Sequence, residues 1–291
     1  MTDTTASLQR KIGSAADLQV VVRTMKAIAA SSISQYEEAV VALDDYYRTV
    51  QLGIIACLGQ QVAPIDNKPQ QEADAIIAIV FGSDQGLVAD FNEVMVNFVE
   101  TTLAGLAKKN IIFAIGERVQ ARLVETSLPA SINFVLPNSM SEITPLVGQL
   151  LVEIEARRRD NTQVYLFYNR PESAASYTPT YQRLLPLDKV WWHDISVMTW
   201  PIPTLPEIVN NQEQTLLALL REYLFVSLFR ACAKSLASEN ASRLAAMQRA
   251  EQNINELLDD LKTNFHRLRQ SGIDDELFDV ISGFEALTKT S

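Results

Sequence analysis

At 291 residues, with 47% hydrophobic and 8% aromatic residues, the chain has apolar material for one large domain or two ordinary ones, which excludes a disordered protein. A net charge of -10 argues against a nucleic-acid partner, because binding phosphates takes a concentrated basic surface. The local exception is Arg10, Lys11, Arg23 and Lys26, opposed only by Asp17. Cys57 and Cys232 have no metal-ligand spacing and make no disulfide framework, so neither a metal nor an oxidising compartment is expected.

All eleven prolines lie between Pro64 and Pro206. Proline breaks helices at a cost of about 3 kcal/mol, so the two proline-free ends permit long, unbroken rods. In the first rod, one series of seven-residue steps reads Leu18, Met25, Ser32, Ala39, Tyr46, and its companion reads Val22, Ala29, Tyr36, Leu43, Val50. Nearly every position is apolar or small, which is the seam of a coiled coil.

After a polar linker with Pro64 and Pro69, the middle changes character. Ala75 to Phe81 is a continuous apolar run, expected for a strand covered on both faces. A helix is predicted over Asn92 to Lys109, a strand from Ile111, a helix over Glu117 to Thr126 and a strand near Ile132 to Leu136. A helix from Ser141 to Arg159 follows, then strands at Gln163 to Tyr168, Tyr181 to Leu185 and Val190 to Ile195. This alternation predicts an α/β fold with a small, Rossmann-like, mostly parallel sheet inserted between the two long terminal helices.

The tract TWPIPTLPE, Thr199 to Glu207, launches the second rod. Its series are Leu216, Tyr223, Arg230, Ala237, Leu244, Glu251, Leu258, Phe265 and Leu219, Val226, Ala233, Asn240, Met247, Ile254, Leu261, Leu268. Arg230, Asn240 and Glu251 break the apolar rule, either to set register or to meet another partner. Neither rod buries its stripe alone, so the two are expected to pack on each other, in a direction the pattern leaves open. The expected organisation is a helix over 1–60, a linker over 61–74, an α/β domain over 75–198, a Pro-rich connection over 199–206 and a helix over 207–291.

Chemistry is sparse. The first strand-to-helix turn, FGSDQGLVADFN, carries Gly82 and Gly86 but matches neither the dinucleotide fingerprint nor a phosphate loop, so no cofactor is expected. His193 and His266 have no acid and nucleophile arranged around them as a relay. No apolar run reaches the ~18 residues of a spanning helix, and the amino terminus lacks a signal peptide's apolar core, so any work at a membrane is expected to run through partners.

Three tracts resemble the gamma subunit of F-type rotary ATP synthases. LQVVVRTMKAIAASS, Leu18 to Ser32, is similar to that family's amino-terminal helix, and SDQGL with Asn92 is similar to its S-D-R-G-L-C-G-G-L-N turn. In the second rod, LASENASRLAAMQRAEQN and NFHRLRQSGIDDELFDVISGFEAL keep the family's S-E, R-L/M-x-A-M, R-Q-x-x-I and closing elements in order. The resemblance covers essentially the whole chain and implies an antiparallel coiled-coil rotor shaft with no catalysis of its own. It would transmit torque between a membrane ring of c subunits and the beta subunits, which carry the ATP chemistry. The implied partners are three alpha and three beta subunits, epsilon and the c ring, at the cytoplasmic face of a bacterial inner membrane.

Carried over by position, Arg23, Met25, Lys26, Arg243, Arg269 and Gln270 would contact beta. Ile273, Leu277, Phe278, Val280, Ile281, Phe284 and Leu287 would sit in a hydrophobic bearing, and Ser83, Asp84, Gln85, Trp200 and Glu207 would form the foot against the c ring and epsilon. Departures point to a divergent branch, such as the alternative bacterial F-type ATPases: Gln85 stands for Arg, Val88-Ala89-Asp90 for Cys-Gly-Gly and Ser32 for Lys. The competing readings are a coiled-coil scaffold or adaptor with an α/β recognition domain, and an α/β enzyme with helical dimerisation arms.

Overall fold

The computed structural model describes residues 4–58, 73–104, 106, 109–159, 161–173, 176–187, 189–198, 200, 204, 207–208 and 211–288, without the side chains of 173, 189, 190, 196 and 283–288. Nearly all of the 61–74 linker and most of the 199–206 connection lie outside the described residues. The chain divides into two compact units, one of Met1–Ile28 with Leu244–Ser291 and one of Ala29–Arg243.

Eleven elements are described: α1 (Thr5–Leu58), β1 (Ala75–Phe81), α2 (Phe91–Leu103), β2 (Asn110–Ile115), α3 (Glu117–Val124), β3 (Ala130–Phe134), α4 (Met140–Arg157), β4 (Thr162–Ser173), β5 (Ser176–Leu185), α5 (Lys189–Ser196) and α6 (Gln212–Thr288). The sheet order is β3-β2-β1-β4-β5, with β5 antiparallel to β4 and the other pairings parallel. β1 lies at the centre and is buried on both faces, which is why its sequence is unbroken apolar rather than alternating. On one face of the sheet Ile76, Ala78 and Val80 pack with Met95, Val96, Val119 and Leu123 of α2 and α3. On the other, Ile77, Ile79 and Phe81 meet Ile143, Val147 and Leu150 of α4, Ile54 of α1, and Leu228, Cys232 and Leu236 of α6.

One predicted strand is a helix. Val190 to Ile195 falls in α5, because its apolar pair Trp191 and Ile195 is four residues apart and buries on one face, 9% and 0% exposed. Bulky residues such as Val190 and the tryptophans favour strands by propensity, but packing overrides that preference. The helix predicted to Lys109 ends at Leu103.

In α1, one seven-residue ladder carries the burial. Leu8, Ala15, Val22, Ala29, Tyr36, Val50 and Cys57 are all buried. The companion ladder lies at the flank, with Leu18 52% and Tyr46 45% exposed, so the seam is narrower than the pattern alone predicts. The two long helices pair antiparallel in each unit. In the first, Gln19 bonds to Asn255 and Arg23 to Glu251, so rising numbers on α1 meet falling numbers on α6. In the second, Asp44 meets Arg230, Tyr46 meets Glu222 and the Cys57 carbonyl meets Gln212.

Candidate functional site

The three residues that break the seam of the second rod all find partners. Arg230 pairs with Asp44 and lies 4.3 Å over the Tyr47 ring, where its cation meets the negative face of the π-system. Asn240 donates to the Leu236 carbonyl and accepts from Arg243. Glu251 accepts from Arg23 at 2.8 Å and from Lys26 at 2.5 Å, and these bonds hold its carboxyl below its ordinary range, Lys26 contributing most. The Arg230 and Glu251 contacts reach across to α1 and so specify its register, whereas both Asn240 bonds stay within α6.

The expected beta-contact residues are therefore in different states. Arg23 and Lys26 are engaged with Glu251 within the chain, and Met25 packs partly buried against Val22, Met247 and Ile254. Arg243 is held at 2.5 Å by Glu239 and at 3.3 Å by Asn240. Arg269 and Gln270 are exposed. Glu239 itself is 4% exposed, and burial pushes its carboxyl up to about 6 even though Arg243 pulls it down. Asp84 adds to that rise, and Tyr36 of α1 and Cys232 lie within electrostatic reach.

Among the described residues nothing covers the carboxy-terminal stretch of α6. From Ser271 to Ser282 every residue is exposed, including Ile273, Leu277, Phe278, Val280 and Ile281 at 46–70%. Phe284 and Leu287 continue the helix, but their side chains lie outside the described residues. A lone surface leucine needs no explanation, but five large apolar residues within nine positions of one helix do.

The turn after β1 is built from its own side chains. Ser83 is fully buried; its amide donates to Asn92 Oδ1 at 3.0 Å, and Asn92 Nδ2 returns a bond to Ser83 Oγ at 2.8 Å. The two carboxylate oxygens of Asp84 accept from the amide of Glu117, the first residue of α3, and from the amide of Leu136 just after β3. Gly82 is required because a Cβ there would lie 2.2 Å from Val119 Cβ. Of the expected foot residues in this turn, Ser83 and Asp84 are thus committed to shaping it and Gln85 is the exposed one. Trp200 donates to the Thr204 carbonyl at 2.9 Å, and Glu207 is exposed.

The resemblance includes Ser238 and Glu239 as its S-E element without giving them a role, and pattern reading missed Ser242, a third buried polar residue on α6, and Asp44, the counter-ion of Arg230. The usable signal was Glu251: an acid in one seam and a cation pair flanking the other become partners once antiparallel pairing is assumed. Among the described residues no helix is long and apolar enough to cross a membrane, and no cluster of His, Cys, Asp and Glu is arranged to hold a metal ion.

Comparison with known proteins places this architecture. The family model described as ATP synthase matches residues 4–287. The ATP synthase gamma chain of Paracoccus denitrificans is 27% identical over 290 residues, covering 96% of this chain and 98% of its own length. The ATP synthase gamma chain of Desulfitobacterium hafniense is 25% identical over 293 residues, with 96% and 98% covered. Among solved structures, the rotor of the Euglena gracilis mitochondrial ATP synthase superposes with a TM-score of 0.64 at 15% identity, covering 92% of this chain and 98% of the other, a likeness of fold.

Proposed function

The chain belongs to the ATP synthase family, and from that premise we infer how it works: it is the gamma subunit, the central rotor shaft of a rotary ATP synthase. As a shaft it would sit among three alpha and three beta subunits, rest on a c ring beside epsilon, and belong to the membrane assembly as a peripheral subunit. ATP chemistry would occur on beta, with this chain selecting among beta conformations. That selection needs contacts of different strength in different beta states, since equal contacts shift nothing.

The observation that carries this reading is the uncovered apolar face of α6 from Ile273 to Ile281. Such a face requires a partner, and an apolar bearing suits rotation because hydrophobic contact is non-directional. Directional grip falls to polar groups. Arg269 and Gln270, exposed and one turn before the bearing face, would bond beta loops. Arg23 and Lys26 would present positive charge to acidic beta segments, in competition with Glu251. Gln85, Trp200 and Glu207 would meet the c ring and epsilon, with Ser83 and Asp84 holding the turn that presents Gln85.

Co-expression with the alpha and beta subunits of the same complex tests the assignment. One copy of this chain per three of each is expected, and a stable homodimer that leaves alpha and beta behind would overturn it. Within the complex, Arg269→Ala with Gln270→Ala is expected to lower ATP-driven ion pumping while leaving the shaft's thermal stability unchanged. Unaltered pumping would remove both residues from the grip.

A further inference from the structure

In an open α/β sheet the crevice that takes ligands lies beyond the carboxyl ends of the strands, where successive crossovers leave in opposite directions. In the order β3-β2-β1-β4-β5 that point falls between β1 and β4. Here α6 fills it. Ala237, Ser238, Ala241 and Ser242 are all buried there, and their small side chains let the helix backbone come close to the strand ends. Ser238 Oγ donates to the carbonyl of Asn169, just past the last β1–β4 pair, at 3.0 Å. Ser242 Oγ, one helical turn on, donates to the carbonyl of Val88 in the turn after β1 at 2.7 Å.

The acceptor at Val88 is held by unusual backbone. Its neighbours Leu87 and Ala89 have φ of 63° and 51°, left-handed values that residues with a Cβ rarely adopt. The same carbonyl also accepts from the Phe91 amide at 3.2 Å, which starts α2. Beside it Tyr177 of β5 bonds Asp90 Oδ1 at 3.2 Å and stacks edge-on against Phe91. Strain of this kind persists only where the surroundings over-determine it, and it clusters at working parts of proteins.

We propose that Ser238 and Ser242 are positioning residues: two pins by which the α/β domain, its ligand crevice filled by α6, holds that helix against rotation and sliding. This rests on the rotor reading. Apolar packing around α6 is non-directional and resists slip poorly, whereas a hydrogen bond weakens steeply with misalignment. Two hydroxyls at i and i+4 on one stripe, one bonded to a carbonyl within β4 and one to a carbonyl in the turn after β1, fix both the azimuth and the height of the helix.

The test is the assembled complex carrying Ser238→Ala with Ser242→Ala, beside Ser235→Ala as control. Ser235 is a buried serine of the same helix whose hydroxyl has no hydrogen-bond partner among the described residues. The double variant is expected to lose ions pumped per ATP hydrolysed, and Ser235→Ala is expected to keep the wild-type ratio. A wild-type ratio in the double variant, or an equal loss in the control, overturns the proposal. Should the double variant not assemble, amide exchange of the free chain carrying Ser242→Ala alone decides. Residues 236–243 are expected to exchange roughly fivefold faster than in Ser235→Ala, the factor for one net hydrogen bond, and equal rates overturn the pin. If the wild-type chain fails to assemble with alpha and beta, the rotor reading fails instead.

Discussion

Changing Gly82 to alanine and Gly148 to alanine is one chemical step at two places, and the structure assigns it opposite signs. Gly148 lies inside α4 with nothing within 4 Å of the position a Cβ would take. A methyl there removes conformational freedom from the unfolded chain only, for a gain of about 0.5–1 kcal/mol. At Gly82 the new Cβ would stand 2.2 Å from Val119 Cβ, 2.5 Å from its Cγ1 and 2.8 Å from Asn92 Oδ1. Non-bonded carbons prefer about 3.5–4.0 Å, so α3 must move outward by more than an ångström. Overpacking of that kind costs about 1–3 kcal/mol. Displacing Asn92 also threatens its two bonds to Ser83, at about 1 kcal/mol each, which brings the loss to roughly 3–5 kcal/mol. Urea titration of the purified chain followed by far-ultraviolet circular dichroism measures both variants. A lower midpoint for Gly82→Ala and a slightly raised one for Gly148→Ala are expected. A neutral Gly82→Ala, or two losses of similar size, would refute the packing described around the turn.

Two further outcomes concern buried and paired carboxyls. Burial raises the Glu239 carboxyl to about 6 in the folded chain, above its unfolded value of about 4.3, so the protonated form favours folding and that advantage disappears as pH rises through this window. Wild type is therefore expected to weaken relative to Glu239→Gln by about 2 kcal/mol between pH 4 and pH 7, and a pH-independent difference in urea midpoints would contradict the environment described for it. Glu251 has the opposite sign: its carboxyl is depressed by Lys26 and Arg23, so its contribution is present above about pH 4.3 and fades on acidification. The stability gap between wild type and Glu251→Gln is expected to shrink both at low pH and at high salt, and a gap that salt leaves untouched would argue against a half-exposed ion pair.

Much of this protein was readable before its structure. Heptad ladders such as Val22–Ala29–Tyr36 and Met247–Ile254 and the apolar run at Ala75–Phe81 state their partners' geometry locally, because a helix or strand face is a periodic property of neighbouring residues. The motif at Leu236–Asn253 likewise carried the family. The candidate site was legible only by position. The resemblance made Arg23, Lys26 and Arg243 beta contacts, but within this chain Glu251 and Glu239 hold them, and those carboxylates are 228, 225 and 4 residues away.

What local pattern could not decide is whatever depends on distant segments meeting. Val190 to Ile195 favours a strand by composition, and only packing against the core made it helical. Ser238 belongs to the S-E element of the resemblance, but the sequence assigns neither it nor Ser242 a contact. Their meaning depends on Asn169 and Val88, carbonyls 69 and 154 residues away, and a backbone carbonyl has no signature in a one-letter code. The sequence by itself determined the rods, the sheet and the family, because periodicity and motif are short-range. The tertiary structure decided which stripe is the seam, which charges are spent within the chain and where the shaft helix is gripped, because those are set by long-range contacts that form only when the chain closes on itself.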